Sequence, residues 1–243
     1  MTEADTDVMQ DQPISARSAH RERVKITQNV AAGIARELRN PVFAIVSAAQ
    51  LLRYRILDDP VIEKNLGRIL RETERLNALI ESLLEYGRPA PIRLARADPD
   101  GVWTDVLASH RGLLESKALL VRQMPADPRV SCNVDVEQLA EAFSNALANA
   151  IDAAPEGSDL TILSARAPDG AWQTELHNDG PPVVAELLPH AFEPLVTNKP
   201  GHAGIGLAVV HRIITEHGGT VALESTDGDG TTLTCTIPAA RFS

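Results

Sequence analysis

Aromatic side chains are scarce in this chain: 3% of 243 residues, with two tryptophans, two tyrosines and four phenylalanines. A nucleic-acid site built on stacking platforms needs more of them. Positive charge is also short, and a formal net charge of -10 argues against DNA or an anionic membrane as a direct partner. Cysteine occurs twice, at Cys132 and Cys235, without metal-ligand spacing, which points to a reducing, cytoplasmic setting. The most apolar run, residues 42–52, is too short to span a bilayer and lacks the flanks of a signal peptide. Membrane insertion is therefore not expected, and a sensor, where one exists, is another molecule. What remains is 44% hydrophobic and 23% charged, enough for one large domain or two small ones.

The clearest periodicity lies near the N-terminus. Ile34, Leu38, Pro41, Ile45, Ala48 and Leu52 follow a 4-3-4-3-4 spacing, the repeat of a heptad seam on one long helix. On that register Arg36, Glu37 and Asn40 fall on the outer face. The helix is expected over 21–56, where Asp58-Asp59-Pro60 breaks it and opens a second one. Ile62, Leu66, Ile69, Thr73, Leu76, Ile80 and Leu83 continue the same spacing up to the stop at Gly87-Arg88-Pro89. A single hairpin cannot cover both stripes, so the economical assembly is a homodimeric four-helix bundle. Periodicity alone is equally satisfied by a plain coiled-coil spacer.

Residues 1–20 are polar and aperiodic, and read as a disordered arm. The domain boundaries that follow are a hairpin over 21–87, a proline-rich linker over 88–100 and a mixed domain over 101–243. In that domain strands are expected at 118–123, 129–134, 160–167, 172–177, 220–225 and 231–237, with helices at 105–115, 136–153 and 206–217.

The run Arg36-Glu37-Leu38-Arg39-Asn40-Pro41 resembles the phosphoacceptor helix of bacterial sensor histidine kinases, His-Glu-x-x-(Thr/Asn)-Pro, with Arg36 at the histidine's position. Four stretches in the second half resemble, in order, the boxes of the ATP-binding domain shared by histidine kinases, gyrase and Hsp90. In the first, Asn145 and Asn149 lie four apart and leave one face of a helix, where an amide oxygen of Asn149 can ligate Mg2+ while phosphates supply the negative charge. In the second, Asn178-Asp179-Gly180-Pro181-Pro182, Asn178 stands where the family has the acid that accepts from the adenine amino group, and Pro182 replaces a glycine. Alone, that stretch reads as a turn. The third, Phe192 to Lys199, brings Thr197 and a cation, Lys199, to the lid. The fourth, Gly201 to Leu207, places Gly204, Gly206 and Leu207 at a helix start, where backbone N–H groups and the helix dipole favour phosphate. Thr231 follows in a last box, and His217-Gly218-Gly219 reads as a helix stop.

The resemblance implies an α+β protein: a dimerising helical hairpin, then an α/β sandwich with helices on one face of a mixed sheet. It implies ATP and Mg2+ as cofactors and a response regulator receiver domain as partner, with a separate sensor or another histidine kinase as further candidates. A guanidinium stays protonated and has no lone pair for in-line attack, so Arg36 cannot take the histidine's phosphoryl group. Glu37 and Asn40 keep the positions that the family uses for the base and for orienting water on an aspartyl phosphate. Three roles stay open: a regulator-docking and dephosphorylating protein, a non-enzymatic ATP-clamped regulator of another kinase or transcription partner, and a kinase whose acceptor histidine was replaced in this chain.

Overall fold

A computed structural model describes residues 38–53, 59–86, 91–197, 199 and 204–240. Two compact units divide the chain at Pro89 and Ala90.

The first unit contains helix α1, described over 38–53, and helix α2, Pro60–Tyr86. Asp59 starts α2, its carboxylate oxygen Oδ1 accepting from Val61 N at 2.8 Å, with Pro60 at the position whose missing N–H costs nothing. Burial recurs every seven residues, at Val42 and Ala49 on α1 and at Leu66, Thr73 and Ile80 on α2. On α2 those three positions belong to the expected seam, whereas on α1 the buried row, Val42 and Ala49, lies one residue beyond the expected Pro41 and Ala48. Leu38, Ile45 and Leu52, with Ile69 and Leu76 on α2, stay between 42% and 48% exposed. The interior of a single hairpin takes one position per heptad from each helix, and the other apolar row is left beside it. Among the described residues no helix is long and apolar enough to cross a membrane. The expected arm, and the first helix before residue 38, lie outside the described residues.

The second unit is a sheet covered on one face by helices. Its order is β1 (Ala95–Ala97), α3 (Pro99–Ser109), α4 (Arg111–Ser116), β2 (Leu120–Met124), β3 (Cys132–Val134), α5 (Val136–Ala153), β4 (Asp159–Arg166), β5 (Trp172–Asn178), α6 (Gly206–Glu216), β6 (Thr220–Thr226) and β7 (Gly230–Ile237), with a short 3-10 turn at Leu188–His190. The five-stranded sheet runs β2-β4-β5-β7-β6, with β2 parallel to β4 and the other neighbours antiparallel. β1 and β3 make a separate antiparallel pair.

Two expectations change here. The helix expected over 105–115 is two helices, interrupted at His110, whose Nδ1 lies 3.0 Å from the Val106 carbonyl and whose Nε2 lies 3.2 Å from Ser144 Oγ. The stretch expected as linker already contains β1 and the first turn of α3. Asp98 caps that helix through Asp100 N at 3.0 Å, and Pro99 suits its first turn.

Three of the scarce aromatics meet in the core of this unit. Trp103 of α3 stacks on Phe143 of α5 at 4.1 Å between centroids, and Phe143 meets Trp172 of β5 at 5.9 Å. Such pairs add about 0.5–1.5 kcal/mol beyond area burial. Asp100, 1% exposed, accepts from Trp172 Nε1 at 3.3 Å and from Ala126 N at 3.1 Å, tying α3 to the sheet. On α5, Leu139, Ala142, Phe143, Ala146, Leu147, Ala150 and Ile151 are buried, the stripe of a helix lying on a sheet. The remaining face of α5 is free to build a site.

Candidate functional site

The outward side of α5 carries Asn145, Asn149 and Ala153, spaced four apart and therefore stacked one turn above another. Two glycines from distant loops close on this stripe. A Cβ on Gly206, at the start of α6, would sit 2.9 Å from Asn149 Nδ2 and 3.3 Å from Asn145 Oδ1. A Cβ on Gly180 would sit 2.5 Å from the Ala153 carbonyl oxygen and 2.7 Å from Asn178 Oδ1. A side chain at Gly180 would collide with backbone and one at Gly206 would have to displace the two amides, so at both places glycine backbone lies against the helix. Asn145 Nδ2 donates to the Glu141 carbonyl at 2.9 Å, which fixes its amide with the oxygen towards Gly206.

Gly204 takes φ 64°, a conformation that glycine adopts without strain. Its carbonyl accepts from Leu195 N at 2.9 Å, which joins the two ends of the loop containing Thr197 and Lys199. Thr197 Oγ1 accepts from Lys199 N at 3.1 Å, and Lys199 Nζ lies 3.4 Å from the Asn149 carbonyl oxygen. Burial holds the Lys199 ammonium below the usual lysine range; Asp152 opposes that shift and Lys117 adds to it. Lys117 covers the C-terminal carbonyls of α5, donating to Ile151 at 2.7 Å, Ala154 at 3.0 Å and Asp152 at 3.3 Å. Two ammonium groups thus sit at the negative end of this helix.

At the other edge, Asn178 is buried at the end of β5. Its Oδ1 accepts from Gly180 N at 3.0 Å, and its Nδ2 donates to the Thr231 carbonyl at 3.4 Å. Thr231 is its cross-strand partner on β7. The Thr231 hydroxyl shares a 2.7 Å hydrogen bond with Ser225 Oγ, which also accepts from Val183 N at 2.9 Å.

Asn145, Asn149, Asn178, Gly180, Thr197, Lys199, Gly204, Gly206 and Thr231 therefore gather around α5. Leu207 does something else: it packs against the core and anchors the first turn of α6. Sequence reasoning missed Ala153, Lys117 and Ser225. Ala153 continues the Asn145–Asn149 spacing and could have been found from that; the other two act only through pairing that the fold creates. Asn40 lies on α1, exposed and about 160° around the helix from the buried Val42. Arg36 and Glu37 lie outside the described residues, as do 201–203.

A helical hairpin followed by an α/β sandwich with an asparagine-and-glycine site on one helix defines a class, the phosphoacceptor-plus-ATPase architecture. Residues 27–91 match the His Kinase A (phospho-acceptor) domain, and residues 134–241 match the Histidine kinase-, DNA gyrase B-, and HSP90-like ATPase family. The chain belongs to the two-component histidine kinase family. It is 30% identical over 223 residues to sensor histidine kinase ZraS of Klebsiella oxytoca, covering 91% of this chain and 48% of that protein. It is 28% identical over 245 residues to the sensory histidine kinase/phosphatase NtrB of Rhizobium leguminosarum bv. phaseoli, covering 94% of this chain and 62% of that one. The chain thus spans only about half to three-fifths of the length of these relatives. Among solved structures it is similar to histidine kinase ThkA in complex with response regulator protein TrrA (TM-score 0.67, 22% identity, 95% of this chain and 68% of that one). It is also similar to full-length ShkA in complex with AMPPNP (TM-score 0.65, 20% identity, 89% and 47%).

Proposed function

We propose that this chain is a cytoplasmic two-component signalling protein that binds Mg-ATP on α5, dimerises through its hairpin, and docks and dephosphorylates a response regulator. It does not phosphorylate its own position 36. The observation that carries the nucleotide half is the pair of glycines closed against one stripe of α5. Such close backbone approach beside a helix N-terminus suits a phosphate chain, and Lys199 adds a cation. The neutral amide oxygens of Asn145 and Asn149 suit Mg2+ that arrives with phosphates, since the phosphates supply the charge. The bound ion would neutralise phosphate charge. Asn149 would hold it, Gly204 and Gly206 would offer backbone, and Asn178 would accept from the base beside Thr231.

The rest of the proposal follows from the hairpin. Its half-exposed row of Leu38, Ile45, Leu52, Ile69 and Leu76 fits a second copy of the same hairpin. Arg36 offers no nucleophile, whereas its guanidinium fork fits the carboxylates of a receiver domain. Asn40 faces away from the buried stripe, where an incoming aspartyl phosphate and its attacking water can reach it. The similarity to the Rhizobium leguminosarum sensory histidine kinase/phosphatase supports this reading.

The test is the rate at which the chain dephosphorylates a phosphorylated receiver. Asn40→Ala should slow it roughly 10²-fold, the size of a lost water-positioning contribution, while receiver binding stays unchanged. An unchanged rate would remove the phosphatase role.

A further inference from the structure

The His217-Gly218-Gly219 turn stands at the end of α6 opposite to Gly206, and helix termination accounts for its two glycines and for the His217 backbone N–H, which donates to the Ile213 carbonyl at 3.1 Å. Gly218 takes φ 76° and its N–H donates to the Thr215 carbonyl at 2.9 Å. Gly219 N donates to the Ile214 carbonyl at 2.9 Å, and its Cα lies so close to the Thr236 carbonyl that a side chain has no room. His217 does something different. It is 7% exposed, with Nδ1 2.7 Å from the Ile213 carbonyl oxygen and Nε2 2.9 Å from Asp135 N. A carbonyl only accepts and a backbone N–H only donates, so Nδ1 carries the proton and Nε2 presents its lone pair.

Asp135 is itself a junction. Its Oδ1 accepts from Gln138 N at 3.2 Å and caps α5, while its Oδ2 accepts from Arg93 N at 2.8 Å. Arg93 lies on the stretch by which the chain coming from the hairpin enters this unit. One bonded path therefore runs from the end of α6 through His217 and Asp135 to Arg93. The two helices are tied at both ends: Gly206 against Asn145 and Asn149, and His217 against the residue that caps α5. α6 spans 11 residues and is about 16 Å long, short enough to move as a rigid rod.

We propose that His217 is a positioning residue that couples occupancy of the α5–α6 nucleotide site to the entering chain at Arg93. The inference rests on the nucleotide reading of that site. A ligand seated against Gly206 shifts the start of α6, the rod carries the shift to His217, and Asp135 changes its grip on the Arg93 amide. A purely structural histidine would stabilise the fold and transmit nothing.

The experiment is amide hydrogen exchange at Arg93 in the full chain, with and without saturating Mg-ATP, with binding measured in parallel by calorimetry. Wild type is compared with His217→Gln, which keeps an uncharged acceptor for Asp135 N, and with His217→Ala and His217→Leu, which have none. Nucleotide should slow exchange at Arg93 roughly fivefold or more in wild type. The response should survive in His217→Gln and vanish in whichever of the alanine and leucine variants folds, although that variant still binds nucleotide. An Arg93 amide that ignores bound nucleotide in wild type, or responds equally in the variants without an acceptor, would overturn the coupling and leave the nucleotide site standing. Absence of calorimetric binding in every chain would overturn both.

Discussion

Replacing Gly206 by alanine separates a phosphate cradle from an ordinary helix start. The new Cβ would lie 2.9 Å from Asn149 Nδ2 and 3.3 Å from Asn145 Oδ1, distances at which side chains must move. Both neighbours are ends of short side chains, so the fold can yield by rotating two amides. Alanine also favours helix by up to about 1 kcal/mol over glycine, which offsets the crowding. Stability without ligand should therefore change little. Nucleotide binding should not survive so well, because the displaced amides are the proposed magnesium and phosphate contacts. At a ligand concentration of about 100 Kd, linkage stabilises the folded chain by roughly 2.7 kcal/mol, which raises Tm by about 5–10 °C for a domain of this size. A tenfold weaker site loses about 1.4 kcal/mol of that, or roughly 3–5 °C of the shift. Thermal melts of wild type and Gly206→Ala, with and without millimolar Mg-ATP, read both quantities. A full nucleotide shift in the variant would refute the cradle; a collapse of the ligand-free melt would show that the glycine serves packing.

Other outcomes follow from the same geometry. Gly180→Ala should destabilise by about 1–3 kcal/mol, because its Cβ would meet the immobile backbone carbonyl of Ala153 at 2.5 Å; an unchanged denaturation midpoint would count against that contact. For Asp135, burial alone would raise the carboxyl, but the N–H groups of Arg93, Gln138 and Glu137 outweigh it and hold the group below the usual carboxylate range. A depressed folded value means that the contribution is fully present above the unfolded value near 3.9 and is lost as pH falls through the folded one. Wild type should thus lose stability below about pH 4 more steeply than Asp135→Asn in denaturant titrations, and parallel curves would contradict the assignment.

Much of this architecture was legible because its signals are local. The α5 span of 136–153, the α6 start at Gly206 and the β5 alternation follow from periods of 3.6 and 2 and from the glycines before α6. The break at His110 was not legible, since it depends on a histidine bonding Val106 and Ser144 across the fold. β1 escaped because it has three residues, mostly exposed, and exists only through its pairing with β3. On the hairpin the apolar rows were visible, but which row a single chain buries is a matter of packing, and Val42 took the place expected for Pro41 and Ile45. At the site, motif order located the asparagines and glycines. Ser225 and Lys117 carry no motif, and their contacts arise from strand β6 and from the turn after α4.

The central claim is that this histidine kinase family member keeps a nucleotide site and lacks a phosphoacceptor at position 36. Incubation with γ-labelled ATP and Mg2+ tests it most directly, with wild type and Arg36→His side by side. Wild type should take up no acid-labile, base-stable label, whereas Arg36→His should acquire one, because Glu37 and the α5–α6 site then serve a nucleophilic imidazole. Label on the wild-type chain that disappears in Arg36→Lys or maps to another residue such as His20, or an Arg36→His chain that binds ATP yet stays unlabelled, would contradict the account.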